Sequence, residues 1–219
     1  MYVLPHISSP ISAPWVAWVM LCLLLCCVLA EIVQRGAIVQ AFSTLFSKME
    51  RAYGDAQQNI LEQLIITVFC IGSFAMALYL FTYRGGDFRF ATYMLTFALV
   101  LCVDVIKWAV SALVNYTFGI SKRLAQLSTH RNNMQTVICI LFYTASLCLL
   151  RVGNQEVVRW VLGGCAVVAL VLICIKWIRV FCVDIRSLLY ILLYVLTLEV
   201  LPLLVLLVGA DYIVEYMSM

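Results

Sequence analysis

The stretch from Pro14 to Ala30, PWVAWVMLCLLLCCVLA, contains no charged residue and decides the fold class. One helical crossing of a bilayer needs about 20 mostly apolar residues. These residues are continuously apolar and do not alternate with polar ones, as barrel strands do, so they predict a membrane-spanning helix. Further spans of this kind are predicted at about Leu61–Thr82, Phe90–Tyr116, Met134–Leu150, Val157–Val180 and Ser187–Val208. We therefore expect an all-α, polytopic membrane helix bundle of about six spans, with residues 1–219 forming one integral membrane domain.

The composition excludes several classes of protein. Of the 219 residues, 65% are apolar and 11% are charged, whereas a soluble chain has about 25% charged residues. No stretch between the apolar runs is long enough for a second domain. A soluble enzyme on a membrane tether and a nucleic-acid-binding module are both excluded. The expected partners are the lipid bilayer and other inner-membrane proteins in a hetero-oligomeric complex, with no nucleic acid.

The ten cysteines and two histidines do not predict a cofactor site. The cysteines lie within the predicted spans or at their inner edge, and no two have the CxxC spacing of a zinc or redox site. Cysteine in such a place usually packs as a small hydrophobic residue. We expect no metal and no cofactor.

The distribution of Lys and Arg predicts the orientation in the membrane. Loops on the cytoplasmic side keep an excess of positive charge. The first, third and fifth loops together hold nine basic residues, namely Arg35, Lys48, Arg51, Lys122, Arg123, Arg131, Lys176, Arg179 and Arg186. The opposite side holds four, namely Arg84, Arg89, Arg151 and Arg159. Both termini are therefore predicted to be extracytoplasmic, in a multi-pass protein of the bacterial inner (cytoplasmic) membrane.

The first loop has the pattern of an amphipathic helix over residues 36–53. Phe42 and Phe46 belong to its apolar side, whereas Lys48 and Arg51 lie on the other side. The predicted topology places this helix on the cytoplasmic leaflet, where its basic residues can meet anionic headgroups. A docking helix for a cytoplasmic partner is the alternative.

Three charged residues, Asp104, Lys107 and Glu199, lie deep within the predicted spans, away from their ends. Charged groups at membrane depth are costly, so they normally pair or line a wet pathway. Asp104 and Lys107 are three residues apart and share one helix face. Measured from the predicted inner span ends at Tyr116 and Ser187, Asp104 and Glu199 lie about 18 Å deep and Lys107 about 14 Å. The three form a cluster if the third and sixth helices touch.

Pro202 follows Glu199 by three residues and is expected to kink the sixth helix beside the acid. The structural interpretation of the intramembrane polar cluster is that it fixes helix packing. The functional interpretation is a relay for protons or cations. The residues alone do not decide between the two.

The C-terminal part resembles a known family. Arg179–Leu207, RVFCVDIRSLLYILLYVLTLEVLPLLVLL, is similar to the signature of an uncharacterised family of multi-span inner-membrane proteins from Bacteroidota, a domain of unknown function with a T-L-E-[IV]-L-P-L-L block. The match covers mainly Leu188–Leu206. The resemblance implies that Glu199 and Pro202 are the signature acid and proline, and that Tyr190 and Tyr194 occupy its aromatic positions. It implies no activity.

Two functions follow as expectations. The first is a non-catalytic subunit or assembly factor of an inner-membrane cell-envelope complex, with protein export or envelope biogenesis as its process. The alternative is a small proton- or ion-coupled transporter that uses Asp104, Lys107 and Glu199. An enzyme is not expected, because the sequence contains no HExxH, GxSxG or paired-histidine motif.

Overall fold

The computed structural model describes residues 13–33, 60–83, 89–118, 121–152, 154–181 and 201–218. These residues form six α-helices and no strand. The helices are α1 (Pro14–Val33), α2 (Ile60–Thr82), α3 (Phe90–Phe118), α4 (Ser121–Leu149), α5 (Gln155–Phe181) and α6 (Leu201–Ser218). The predicted all-helical fold is confirmed.

Four segments of these helices are long and apolar enough to cross a membrane. They are Pro14–Val33, Gln63–Thr82, Phe90–Val110 and Gln155–Ile175. A shorter apolar segment, Met134–Leu149, forms the second half of α4. The chain therefore has the helices of a membrane protein.

Helix α2 is the centre of the bundle. It packs against α1, α3, α4, α5 and α6. Between Phe69 and Tyr83, its side chains are buried except at Phe74 and Phe81, which are half-buried. A helix that is apolar on all sides has no face that favours water and can be surrounded by other helices. The sequence has the same apolar character in several spans, so the central position of α2 is not evident from it.

Contacts between α1 and α2 show that these helices run in opposite directions. The rings of Trp15 and Tyr79 are 6.0 Å apart, and Leu23 lies against Gly72 further along the pair. As the residue number rises in α1, it falls in α2. The two helices are antiparallel.

Helix α3 is also antiparallel to α2, and α4 is parallel to it. Tyr79 contacts Tyr93 near the start of α3, whereas Cys70 lies within electrostatic reach of Asp104 further along α3. On α4, Cys139 lies beside Cys70, and the Phe142 ring lies 5.5 Å from the ring of Phe74, so residue numbers rise together in α2 and α4. Successive helices from α1 to α4 thus reverse direction, as they do in a chain that crosses one layer repeatedly.

Two helix boundaries differ from the predicted spans. Helix α4 begins at Ser121, so most of the predicted third loop, up to residue 133, is helical. Helix α6 continues to Ser218, ten residues beyond the predicted end of the sixth span at Val208. The extension contains Ala210, which is fully buried, so packing favours the helix past Gly209.

Candidate functional site

Helix α3 carries two members of the predicted polar cluster. Asp104 and Lys107 are both half-buried. Asp104 lies near the thiol of Cys70 on the central helix. Helices α3 and α6 are neighbours, which is the condition under which Glu199 could join the two charges.

Several predicted residues lie outside the part of the chain that the structure describes. They are Glu199, Tyr190, Tyr194 and the four residues of the amphipathic first loop, Phe42, Phe46, Lys48 and Arg51. Pro202 is the second residue of α6 and is half-buried. A proline disrupts a helix in the turn before it, so the expected kink falls before residue 201, outside the described residues. The three-residue cluster, the kink and the interfacial helix all remain predictions.

Two thiols meet at the level of Asp104. The Cys139 thiol on α4 donates a hydrogen bond to the Cys70 carbonyl at 3.6 Å, and both cysteines are buried. Thr136 of α4 also bonds to the side chain of Cys70. The thiols pack as small buried groups between α2 and α4, as the sequence predicted for cysteine in general. Among the described residues, no group of three or more His, Cys, Asp or Glu could hold a metal ion.

Five hydroxyls in the described helices bond to helix carbonyls. The Tyr143 hydroxyl of α4 donates to the carbonyl of Met20 on α1 at 3.0 Å, which ties two helices together. Thr67, Thr82, Thr96 and Thr144 each donate to a carbonyl one turn earlier in their own helix. Such bonds satisfy polar groups without water, as an apolar surrounding requires.

Two hydroxyls in the described spans differ from these. The hydroxyls of Ser73 and Ser146 are buried without a hydrogen-bond partner. Ser73 lies on α2 and Ser146 on α4, two helices that pack together. Small side chains at such positions let helices approach closely in a membrane.

A cluster of aromatic rings joins the ends of three helices, and the sequence analysis missed it. Trp15 at the start of α1 lies 6.0 Å from Tyr79 near the end of α2. Its ring centroid is also 5.5 Å from Phe90 and 5.6 Å from Tyr93, both at the start of α3. Each of these residues lies near the end of a predicted span, and that position was the signal that the sequence offered. Their convergence depends on how the helices pack.

Comparison with known proteins identifies the family. Residues 16–209 match the family model described as "Domain of unknown function (DUF4271)". The chain belongs to the DUF4271 family. Membership agrees with the resemblance to an uncharacterised domain family, whereas the Bacteroidota origin and the C-terminal signature stay predictions. No curated protein and no solved structure matches this chain.

An arginine of the DUF4271 chain closes the end of the central helix. Arg159 of α5 donates from Nε to the Phe81 carbonyl at 3.3 Å and from Nη2 to the Tyr83 carbonyl at 3.4 Å. The last carbonyls of a helix have no partner within it and carry partial negative charge. The guanidinium therefore caps α2 and ties it to α5, next to the aromatic cluster.

Proposed function

We propose that this DUF4271 protein is a non-catalytic integral subunit or assembly factor of an inner-membrane complex of the cell envelope. The observation that carries the proposal is the use of polar groups in the bundle. Tyr143 and Arg159 bond to carbonyls of neighbouring helices, and four threonines bond to their own helices. These groups stabilise helix packing, as expected of a scaffold that other membrane proteins contact.

The outer faces of the bundle support a location within the bilayer. Exposed residues on the peripheral helices include Leu21 and Ile32 on α1 and Val167 and Val171 on α5. Contiguous apolar surface of this extent is unfavourable in water and favourable against lipid tails. The excess of Lys and Arg in the predicted cytoplasmic loops supports the inner membrane, with both termini extracytoplasmic. We propose protein export or envelope biogenesis as the process that such a complex serves, although the family resemblance itself implies no activity.

Native purification tests the subunit proposal. The tagged full-length protein is extracted from its own membranes in a mild detergent and its mass is compared with that of the 24.7 kDa chain. We expect a larger particle with stoichiometric partner chains. The same preparation in a harsh detergent is the control, because it should release the partners. A protein that is monomeric and alone in every mild detergent would contradict the proposal.

A second candidate is a relay for protons or cations through α3. It is favoured by one observation, which is that Asp104 is half-buried beside the central helix. We expect Asp104→Asn and Glu199→Gln to impair growth if such a relay operates. Glu156→Gln, at an exposed position near the start of α5, is the control. Normal growth with both variants folded at wild-type levels would exclude the relay.

A further inference from the structure

Aromatic residues of four helices gather at one end of the bundle. Trp15, Tyr79 and Phe90 connect α1, α2 and α3 there through their rings. Arg159 brings the start of α5 to the same end, because it bonds to the last carbonyls of α2. The end is thus defined by contacts between helices and not by their order in the sequence.

Three of the aromatic side chains at this end point away from the protein core. Trp18 is one turn from Trp15 on α1 and is 68% exposed, Trp160 follows Arg159 on α5 and is 81% exposed, and Phe90 is 44% exposed. Tryptophan and tyrosine concentrate at the two membrane–water interfaces, where an amphipathic ring can touch both tails and headgroups. The six-span order predicts that α6 runs opposite to α3, which brings the exposed Tyr212 and Tyr216 to this end as well.

Helix α3 carries an exposed tryptophan farther along its length, away from the aromatic cluster. Trp108 is 68% exposed and lies eighteen residues after Phe90, which is about 27 Å along the helix. This distance is close to the hydrocarbon thickness of a bilayer, about 30 Å. Phe90 and Trp108 can therefore reach the two interfaces of one bilayer at the same time.

We propose that the exposed Trp18, Phe90 and Trp160 form an aromatic belt at one lipid headgroup interface, and that Trp108 marks the other interface. The inference rests on the proposed membrane location. It places Lys107 at the second interface and Asp104 about 6 Å inside it. Asp104 and Lys107 then lie closer to the membrane surface than the depths of about 18 Å and 14 Å that were measured from Tyr116. At that depth the Lys107 amine can reach headgroups along its own aliphatic stem.

Quenching of tryptophan fluorescence by brominated lipids tests the proposed depth. Single-tryptophan variants that keep Trp18, Trp108 or Trp160, with the other tryptophans changed to Phe, are reconstituted into phosphatidylcholine vesicles. One set of vesicles carries bromine near the headgroup end of the acyl chains, and the other carries it near the methyl end. We expect a greater loss of fluorescence with the shallow bromines for all three variants, with depths of about 12–15 Å from the bilayer centre.

Leu101→Trp in a tryptophan-free background is the matched control. Leu101 is exposed on α3 between Phe90 and Trp108, so its replacement should lie near the centre and lose more fluorescence with the deep bromines. Should the variants fold poorly, the wild-type protein gives the same test. Its five tryptophans should together be quenched mainly by the shallow bromines, since the fifth, Trp177, lies between Lys176 and Arg179 near the predicted inner end of its span.

Each outcome decides between the proposals. A Trp108 that behaves like Leu101→Trp overturns the inference and returns Asp104 and Lys107 to the middle of the bilayer. Deep quenching of Trp18 or Trp160 overturns the belt. If neither set of bromines quenches any tryptophan, the protein is not in the bilayer, and the proposed function fails together with the inference.

Discussion

Arg159 has a structural role that its place in the sequence does not reveal. It is one of four basic residues on the predicted extracytoplasmic side, where positive charge is disfavoured. In the structure, its guanidinium bonds to the Phe81 and Tyr83 carbonyls at the end of α2. A cation at a helix C-terminus interacts favourably with the helix dipole. Arg159 thus stabilises the end of α2, although more than seventy residues separate the two in the sequence.

We predict that Arg159→Gln lowers the free energy of unfolding by about 1 kcal/mol, because two bonds to the end of α2 are lost. Arg159→Lys keeps the charge without the planar fork, so its effect should be smaller. Thermal unfolding in detergent measures the change. Arg151→Gln, in the exposed turn after α4, is the control. Equal stability of Arg159→Gln and Arg151→Gln would contradict the capping role.

At the scale of elements, α1 and α2 approach closely at one glycine. A Cβ atom added to Gly72 would lie 2.5 Å from Cδ2 of Leu23, which is buried on α1. Glycine at such a point allows membrane helices to pack closely. Gly163 and Gly164 of α5 differ, because nothing lies within 4 Å of an added Cβ at either position. All three positions are glycines within apolar helices, so the sequence alone does not distinguish the close contact at Gly72 from the open positions on α5.

We predict that Gly72→Val destabilises the bundle by about 1–3 kcal/mol, because the new side chain overlaps Leu23. Combining it with Leu23→Ala should recover part of the loss. Gly164→Val is the matched control, since it makes the same change in open space and should stay within about 0.5 kcal/mol of wild type. Unfolding in detergent gives the comparison. A Gly72→Val protein as stable as Gly164→Val would show that the helices are not in close contact there.

At the scale of the whole molecule, helices α1 to α4 alternate in direction and α5 begins where α2 ends. This order is typical of a chain that crosses a bilayer several times. The end of the bundle that faces the cytoplasm is a prediction from the sequence. That assignment depends on the loop charges.

We predict that reporters of opposite kind will place the two ends of the bundle on opposite sides of the membrane. Alkaline phosphatase should be active when inserted in the turn between Arg151 and Asn154 or fused after Met219, because both sites are predicted to be extracytoplasmic. A fluorescent protein inserted between α3 and α4 should fold and fluoresce in the cytoplasm. Exchanging the two reporters at each site is the control. Active phosphatase between α3 and α4 would reverse the topology.

Several helix boundaries could be predicted because their signals are local. The predicted start of the first span at Pro14, the end of the second at Thr82 and the start of the third at Phe90 coincide with helix ends in the structure. These boundaries follow from hydropathy, from a proline at the first helical position and from the polar residues after a span. Each of these signals involves only a few neighbouring residues. The fourth span was predicted to begin at Met134, whereas α4 begins at Ser121, because residues 121–133 continue the same helix beyond its apolar part.

The sequence by itself determined the all-helical, apolar character of this protein, because too few charged residues are available to cover a soluble fold of this length. It also singled out Asp104 and Lys107, since charges within apolar runs are rare. Only the tertiary structure decided that α2 is central, that Trp15, Tyr79 and Phe90 meet, and that Arg159 caps α2. The physical reason is that apolar helices of similar composition can pack in many orders. The choice among those orders depends on the fit of side chains that lie far apart in the chain.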